Sequence, residues 1–409
     1  MTTLRQESKA WPWFANDAAM RVLTVLNADG EEARVVGGAV RNALLGLDVG
    51  EIDIATTALP NEVMRRAGQA HIKAVPTGVA HGTVTLIVDS APFEITTLRE
   101  DVETDGRHAK VAFGRDWSRD AQRRDFTING LSVSMDGAVH DHTSGLDDIA
   151  AKRVRFIGDA NKRIAEDYLR ILRFFRMHAY YGDGAPVRDG LLACIRGRNG
   201  LARLSAERVR AEMLKLLVAP RAADAVQSMT DGGLLLALFG GVAYPATFAR
   251  MIDVEAQMQL APDAIRRLGA LGIAIAEDAE RLATRLRLTN AEALRLDSMA
   301  HRWWRFADLD EELAKRRLYR IGAARYVDRA LLAWARTGNS LKKIASLPQR
   351  WTAPAFPLKA ADFIVRGIAP GPTLGRALAD AEDAWIEAGF PGDAHHIADE
   401  IAGQASGPK

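Results

Sequence analysis

The sequence predicts an α+β protein in which a head containing a β-sheet precedes an all-helical body. Between residues 33 and 98 the chain offers short β-branched runs, "ARVVGG", "EIDIATT", "IKAVPTG", "TVTLIV" and "PFEITTL". From about residue 160 the period changes to apolar residues three and four apart, as in "AEDYLRILRFFRMHAYYG" and "SAERVRAEMLKLLV". Strands first and helices afterwards is the pattern of an α+β chain.

At 409 residues there is room for two or three domains, and 48% hydrophobic with 26% charged residues suits a globular chain. The net charge of +2 sets up no global field for a polyanion, so any nucleic-acid contact must come from local clusters among the 54 lysines and arginines. The single cysteine, Cys194, excludes an intrachain disulfide and a multi-cysteine zinc site, and fits a reducing, cytoplasmic compartment. "MTTLRQESKAWPWF" has no apolar core of signal-peptide length, and no apolar run is long enough to span a bilayer, so no membrane partner is expected. Nothing in the sequence sets an oligomeric state.

The first element is a helix over "PWFANDAAMRVLTVLNADG", apolar at helical spacing and closed by a glycine. Next, "VVGGAVRNALLG" reads as strand, Gly-Gly turn and helix start. Gly37 and Gly38 would let a backbone approach an anion, the helix N-terminus offers free N–H groups, and Arg41 adds a guanidinium fork. The stretch fits a triphosphate cradle or a plain structural turn. No GxxxxGK[ST] occurs, so a P-loop is not supported.

The strand-like "GEIDIATTALP" places Glu51 and Asp53 two apart, hence on one face. A cation between the two acids explains their juxtaposition, and a solvated edge strand explains it as well. Glu94 in "PFEITTLRED" is a candidate third carboxylate from a neighbouring strand, since Mg²⁺ takes oxygen ligands. "RRDFTING" then crowds Arg123, Arg124, Asp125 and Asn129 around the apolar Phe126 and Ile128, which a solvated charge run would not do. In the helical part, "AEDYLR" sets Asp167 and Arg170 three apart on one expected helical face, with Glu166 four before Arg170 to brace it.

Taken in order, "GGAVRNALLG…EIDIATTALP", "HGTVTL…FEITTLRED", "RRDFTING", "HDHTSGLDDI", "FIGDANKRIAEDYLRILRFFR" and "LSAERVRAEMLKLL" resemble the class II CCA-adding tRNA nucleotidyltransferases and their bacterial poly(A) polymerase relatives over residues 34–217. The resemblance implies a polymerase-β-type nucleotidyltransferase head over residues 1–150, a helical neck over 151–220 that recognises the nucleotide base, and a helical body and tail over 221–409 that bind RNA. It implies template-independent addition of CCA to the 3′ end of tRNA from CTP and ATP, with Mg²⁺ as cofactor. Glu51 and Asp53 would hold the metal, with Glu94 as a third catalytic carboxylate. Gly37, Gly38 and Arg41 would contact the triphosphate, and Arg124, Asp125 and Asn129 the nucleotide sugar and phosphates.

Glu166, Asp167 and Arg170 would read the base. Cytosine and adenine both pair an exocyclic amine donor with a ring-nitrogen acceptor, which an accepting Asp and a donating Arg match and which guanine and uracil do not. Two departures from the family pattern stand out: Glu51 where the family has Asp, and Asn42 where it has "VRD". An A-only or partial-CCA activity is the nearest alternative, and a non-catalytic RNA-binding protein with an altered metal site is the alternative of another class.

In the body, "IRRLGAL", "RLATRLRL" and "MAHRWWRF" set arginines beside apolar and aromatic residues. Each reads as an ordinary amphipathic helix, and RNA contact is expected of the body as a whole. Pro372 is placed to start a helix, and "GQASGPK" reads as a frayed tail.

Overall fold

The computed structural model describes residues 2–5, 11–105 and 108–405. The chain forms two compact units, Met1–Gly240 and Gly241–Lys409. In the first unit, strands β1 (Thr2–Arg5), β2 (Ala33–Val36), β3 (Ile54–Thr56), β4 (Lys73–Gly78), β5 (Thr83–Val88) and β6 (Ala91–Thr97) belong to one sheet. A hairpin of β7 (Arg99–Asp105) and β8 (His108–Phe113) stands apart, and β9 (Leu131–Val133) and β10 (Ala138–Asp141) return to the sheet. Its order is β1-β10-β9-β2-β3-β6-β5-β4. Neighbours are antiparallel except β3 and β6, which run parallel with Ile54 opposite Ile95.

Helices α1 (Asp17–Leu26) and, beyond the short α2 (Gly38–Leu44), α3 (Pro60–Gln69) belong to the main core on one face of the sheet. The Asn16 side chain caps α1 by accepting from Ala19 N–H at 3.0 Å, and Pro60 starts α3, where no N–H is needed. Val22, Leu23, Leu26, Val63 and Ala67 are buried with Val35, Ile54, Val84, Leu86 and Ile95. Because strand side chains alternate, the intervening residues Val36, Asp53, Ala55 and Glu94 fall on the other face. There Val36, Ala55 and Leu98 form a smaller cluster with Trp117, leaving the acids outward.

After α4 (Trp117–Gln122), the "RRDFTING" loop is buckled in place by the "HDHTSGLDDI" block around α5 (Gly145–Ala150). Asp141 accepts the N–H groups of Thr143, Gly145 and Leu146 at 2.9–3.0 Å. The fully buried Asp148 takes the Thr127 hydroxyl at 2.6 Å together with Arg153 and Arg155. Gly145 is required by crowding, since a Cβ there would stand 2.3 Å from the Thr127 carbonyl oxygen.

Helices α6 (Ala160–Glu166), α7 (Leu169–Tyr181), α8 (Arg188–Gly197), α9 (Ala206–Leu217), α10 (Ala222–Asp231) and α11 (Leu234–Phe239) complete the first unit, with α7 packed along α9.

Two expectations are corrected. The "EIDIATT" strand begins only at Ile54, and Glu51–Asp53 form its extended lead-in, although Val36 N–H still reaches the Asp53 carbonyl at 3.0 Å. The "AEDYLRILRFF" helix is interrupted: Asp167 is extended (φ −154°, ψ 108°), so Asp167 and Arg170 do not share one helical face. The physical reason is capping, for the Asp167 carboxylate accepts Leu169 N–H at 3.1 Å and so starts α7.

The second unit holds helices and no strand among its described residues, with α12 (Pro245–Gln257), α13 (Ala264–Gly272), α14 (Ala276–Leu286), α15 (Asn290–Ala300), α16 (Glu311–Ile321) and α17 (Ala323–Thr337) followed by further helical segments. Glu255 and Asp328, each 1% exposed, lock α12, α13, α15 and α17 together by taking Arg266, Arg267 and Arg295 at 2.7–3.0 Å. Both arginines of "IRRLGAL" are therefore internal. Pro372 opens a helix that runs to Glu387. Of the expected frayed tail, residues 403–405 close the last helix and 406–409 lie outside the described residues. Among the described residues no helix is long and apolar enough to cross a membrane.

Candidate active site

Where β2 ends, Gly37 turns the chain with φ 68° and ψ −122°, and its N–H is fixed on the Leu131 carbonyl at 3.0 Å. An L side chain is strained at that φ, and a Cβ would stand 3.0 Å from Arg124 Nη1. Gly38, the first residue of α2, has no such demand, since a Cβ there would meet only Arg41 Nη2 at 3.5 Å. Arg41 is 6% exposed and acts as a strut. Its Nη1 donates to Asn129 Oδ1 at 2.5 Å, its Nη2 donates to the Tyr181 hydroxyl at 2.7 Å, and the guanidinium stacks 3.9 Å from the centre of the Tyr181 ring. Asn42 Oδ1 accepts from Arg41 Nε and Nη2 at 3.2 and 2.9 Å. A neutral amide thus holds the fork without cancelling its charge. Burial pulls the Arg41 pKa below its ordinary value, with Tyr181 opposing.

The parallel pairing of Ile54 with Ile95 brings Asp53, in the lead-in to β3, beside Glu94 of β6 at the outward face. The solvation lost against the protein wall pushes the Asp53 carboxyl up from the usual range; Arg124 opposes this and Glu51 adds to it. Glu94 is raised by desolvation and then by Asp53 and Glu51. Three acids in mutual repulsion, with no ion-pair partner among the described residues, offer the oxygen donors that a hard divalent cation takes. No group of three or more His, Cys, Asp or Glu is already drawn together in ligand geometry among the described residues.

Behind α4, Arg123 and Arg124 both lean on the buried Asp120, at 2.7 and 3.3 Å. Asp125 is 8% exposed and accepts from Arg173 Nε at 2.6 Å, Asn129 Nδ2 at 3.0 Å and Phe126 N–H at 3.0 Å. Burial opposes its ionisation, but Arg173 and the Asn129 amide outweigh burial and hold the carboxyl below its usual range. A chain of hydrogen bonds therefore runs Arg173–Asp125–Asn129–Arg41–Tyr181 from α7 through the loop to α2 and back to α7.

At the α6–α7 break Asp167 Oδ2 accepts from Arg208 Nη2 of α9 at 2.6 Å. Arg170 Nη1 bonds Glu166 and the Arg163 carbonyl, leaving Nε and Nη2 without a hydrogen bond among the described residues. Burial opposes ionisation of Glu166, but Arg170 and Arg163 hold its pKa below the ordinary value. Glu212 ties α9 to α7 through Arg176 at 2.6 Å.

These side chains face one pocket of about 450 Å³, within the range of small-ligand sites. It gathers Gly37, Gly38, Arg41, Asp53, Arg124, Asp125, Asn129, Asp167 and Arg170, nine of the twelve residues singled out in the sequence. Glu51, Glu94 and Glu166 lie outside its lining, the first two beside Asp53 and the third bracing Arg170. Arg123, Arg173 and Arg208 join the lining, so that six arginines face three aspartates. That surplus suits a polyanion such as a triphosphate. Arg173 carried a sequence signal, the three-residue spacing Arg170–Arg173–Arg176 that aligns one face of α7. Arg208 carried none, because its partner Asp167 is 41 residues away and meets it only through helix packing.

Comparison with known proteins agrees with this geometry. Residues 33–155 match the family model described as poly A polymerase head domain, and residues 193–244 match the probable RNA and SrmB-binding site of polymerase A. The mitochondrial CCA tRNA nucleotidyltransferase 1 of Mus musculus is 33% identical over 401 residues, which cover 95% of this chain and 90% of that protein. The CCA-adding enzyme of Leuconostoc citreum (strain KM20) is 40% identical over 227 residues, 55% of each chain. The crystal structure of the Bacillus stearothermophilus CCA-adding enzyme in complex with CTP superposes with a TM-score of 0.75 at 26% identity, covering 96% of this chain and 98% of that one.

Proposed function

The chain belongs to the class II CCA-adding tRNA nucleotidyltransferase family, and from that premise we propose that the pocket between the sheet face and α7 holds CTP or ATP for template-independent addition to the 3′ end of tRNA, with release of pyrophosphate. The observation that carries this reading is the convergence of a Gly-Gly turn, the Asp53 carboxylate, an arginine surplus and an Asp/Arg pair on one cavity.

The Gly37–Gly38 turn gives the triphosphate a close approach to backbone, while Arg124 and Arg123 supply fixed positive charge beside it. Arg41 holds the turn's helix in register and adds its charge from behind. Asp125, fixed by Arg173 and by the Asn129 amide, orients that amide and through it Arg41. Base choice falls to Asp167 and Arg170. Arg208 and Leu169 N–H occupy two of about four lone-pair positions on the Asp167 carboxylate, so it can still accept an exocyclic amine. Arg170 retains donors for the ring nitrogen, and Glu166 sets its direction. CTP and ATP fit that pattern, whereas GTP and UTP present donors and acceptors reversed.

The family requires a divalent cation, and we assign Mg²⁺ to Glu51 and Asp53, with Glu94 as the further carboxylate. When bound, the metal supplies the charge that lowers the pKa of the attacking hydroxyl and steadies the departing pyrophosphate. Asp53 and Glu94 must be ionised for it, and their raised pKa values make cation affinity fall off at a higher pH than for ordinary carboxylates.

Residues 1–150 serve as catalytic head, 151–220 as base-reading neck and 221–409 as the RNA-binding body and tail. A reducing compartment suits Cys194, which is buried and has its thiol pKa pushed up by burial, and the cytoplasm is the location we assign. The test is incorporation of labelled CTP and ATP into tRNA lacking CCA while Mg²⁺ is added or chelated. Incorporation lost on chelation supports the assignment, and incorporation that persists without divalent metal overturns it.

A further inference from the structure

Several arginines of the second unit are committed to carboxylates: Arg266, Arg267 and Arg295 in the buried cluster, Arg281 on Asp278, Arg320 on Asp383, Arg350 on Glu311. One group differs. Arg302, Arg317 and Arg325 have no side-chain partner among the described residues, and Arg329 has only the neutral Ser298 hydroxyl, at 3.0 Å. Arg325 and Arg329 stand four apart on α17, Arg317 comes from α16, which packs against α17, and Arg302 opens the single 3₁₀ turn Trp303–Phe306, which packs there too. Burial lowers the Arg329 pKa first, and Arg317, Arg325 and Arg302 lower it further, with Asp297 opposing. Four guanidinium groups thus share one patch at a cost in mutual repulsion, with Asp297 as the opposing charge at Arg329.

An aromatic side chain stands in the same turn. Phe306 is 2% exposed and packs against Tyr326 at 5.2 Å, and Trp303 faces Arg336, so the turn is anchored on both sides. Trp304 is held edge-on to Trp303 at 5.8 Å and is 52% exposed. Arg302, which precedes the turn, adopts φ 54°, a left-handed conformation unfavourable for a side chain of that size. The exposed part of this indole, flanked by Arg302 and Arg305, is open to a partner.

We propose that the Arg302, Arg317, Arg325 and Arg329 patch with Trp304 is a docking surface for the RNA substrate, the arginines taking backbone phosphates and Trp304 stacking an unpaired base. The proposal rests on tRNA being the substrate. Phosphates relieve the repulsion among the guanidinium groups, and an indole face accepts any base, which a surface for an acidic protein would not need.

The test compares the unmutated protein with the triple variant Arg302→Gln/Arg317→Gln/Arg325→Gln and with Trp304→Ala and Trp304→Phe. Binding to tRNA lacking CCA is measured across a salt series, and the KM for tRNA and for CTP is measured with kcat. The triple variant is expected to bind tRNA about tenfold or more weakly and to lose about two to three from the slope of log affinity against log salt. The KM for CTP and kcat at saturating tRNA should stay put. Trp304→Ala should weaken binding about fivefold or more without changing the salt slope, and Trp304→Phe should restore most of it. Unchanged tRNA affinity and salt slope in the triple variant, or equal binding by the Ala and Phe variants at position 304, overturns the proposal. If the unmutated protein does not extend tRNA, the functional reading falls, while the binding comparison still decides the patch.

Discussion

Replacing Gly37 by alanine isolates the backbone's part in the site. The native conformation, φ 68° and ψ −122°, is one that only glycine adopts readily, and holding alanine there costs about 1–3 kcal/mol. The added Cβ would also stand 3.0 Å from Arg124 Nη1, so the guanidinium must retreat by a few tenths of an ångström from its 3.3 Å contact with Asp120. Stability should therefore fall by about 2 kcal/mol, and the KM for CTP and ATP should rise, because both the turn and the nearest pocket arginine move. Gly30→Ala is the control. Its φ is 77° with nothing within 4 Å of a Cβ, so it should carry a similar backbone cost without touching nucleotide affinity. Urea unfolding and steady-state kinetics on both variants decide the matter. Equal effects of the two on nucleotide KM, or a Gly37→Ala protein with native KM, would refute the cradle.

Asp53→Asn should abolish nucleotide incorporation without lowering the stability of the metal-free protein. The Asp53 pKa is raised in the fold, so its ionised form is disfavoured there and the folded state gains nothing from the charge as pH rises through that pKa. A lower unfolding midpoint near neutral pH would contradict that electrostatic picture. Arg173→Met should leave the buried Asp125 carboxylate unpaired and cost about 3 kcal/mol, seen in denaturant unfolding; a loss under about 1 kcal/mol would break the proposed strut. Asp167→Ala should relax discrimination between CTP or ATP and GTP or UTP before it weakens tRNA binding, checked by single-nucleotide incorporation with each triphosphate. Unchanged selectivity would remove Asp167 from base reading.

The head's central strands were legible because β2 is a short β-branched run and β5 and β6 alternate apolar residues with a period of two, and the turn at Gly37 because two glycines follow a β-branched run. The pairing of Asp53 with Glu94 was partly legible: both acids interrupt apolar, β-branched runs of sequence, but only the parallel register of β3 on β6 makes them neighbours. Strands β7 and β8 were hidden by the charges in "REDVETD" and by the scarcity of β-branched residues in "HAKVAF". The α6–α7 break was masked by a helical period that runs through it, and there the local bond from Leu169 N–H to the Asp167 carboxylate wins over periodicity. Arg41 reads in sequence as a phosphate ligand, yet its fork is held by Asn129, Asn42 and Tyr181, the last of them 140 residues away. Long-range pairing of that kind leaves no trace in spacing.

The central claim is that one pocket, reading bases without a template, builds a defined trinucleotide end. Incubating the protein with tRNA lacking its 3′-terminal CCA, Mg²⁺, and CTP and ATP separately and together, then sequencing the product ends, tests it most directly. The account predicts C additions with CTP alone and an ordered C, C, A end with both nucleotides. A tail of adenosines alone, or no extension by a protein that still binds the tRNA, would contradict it.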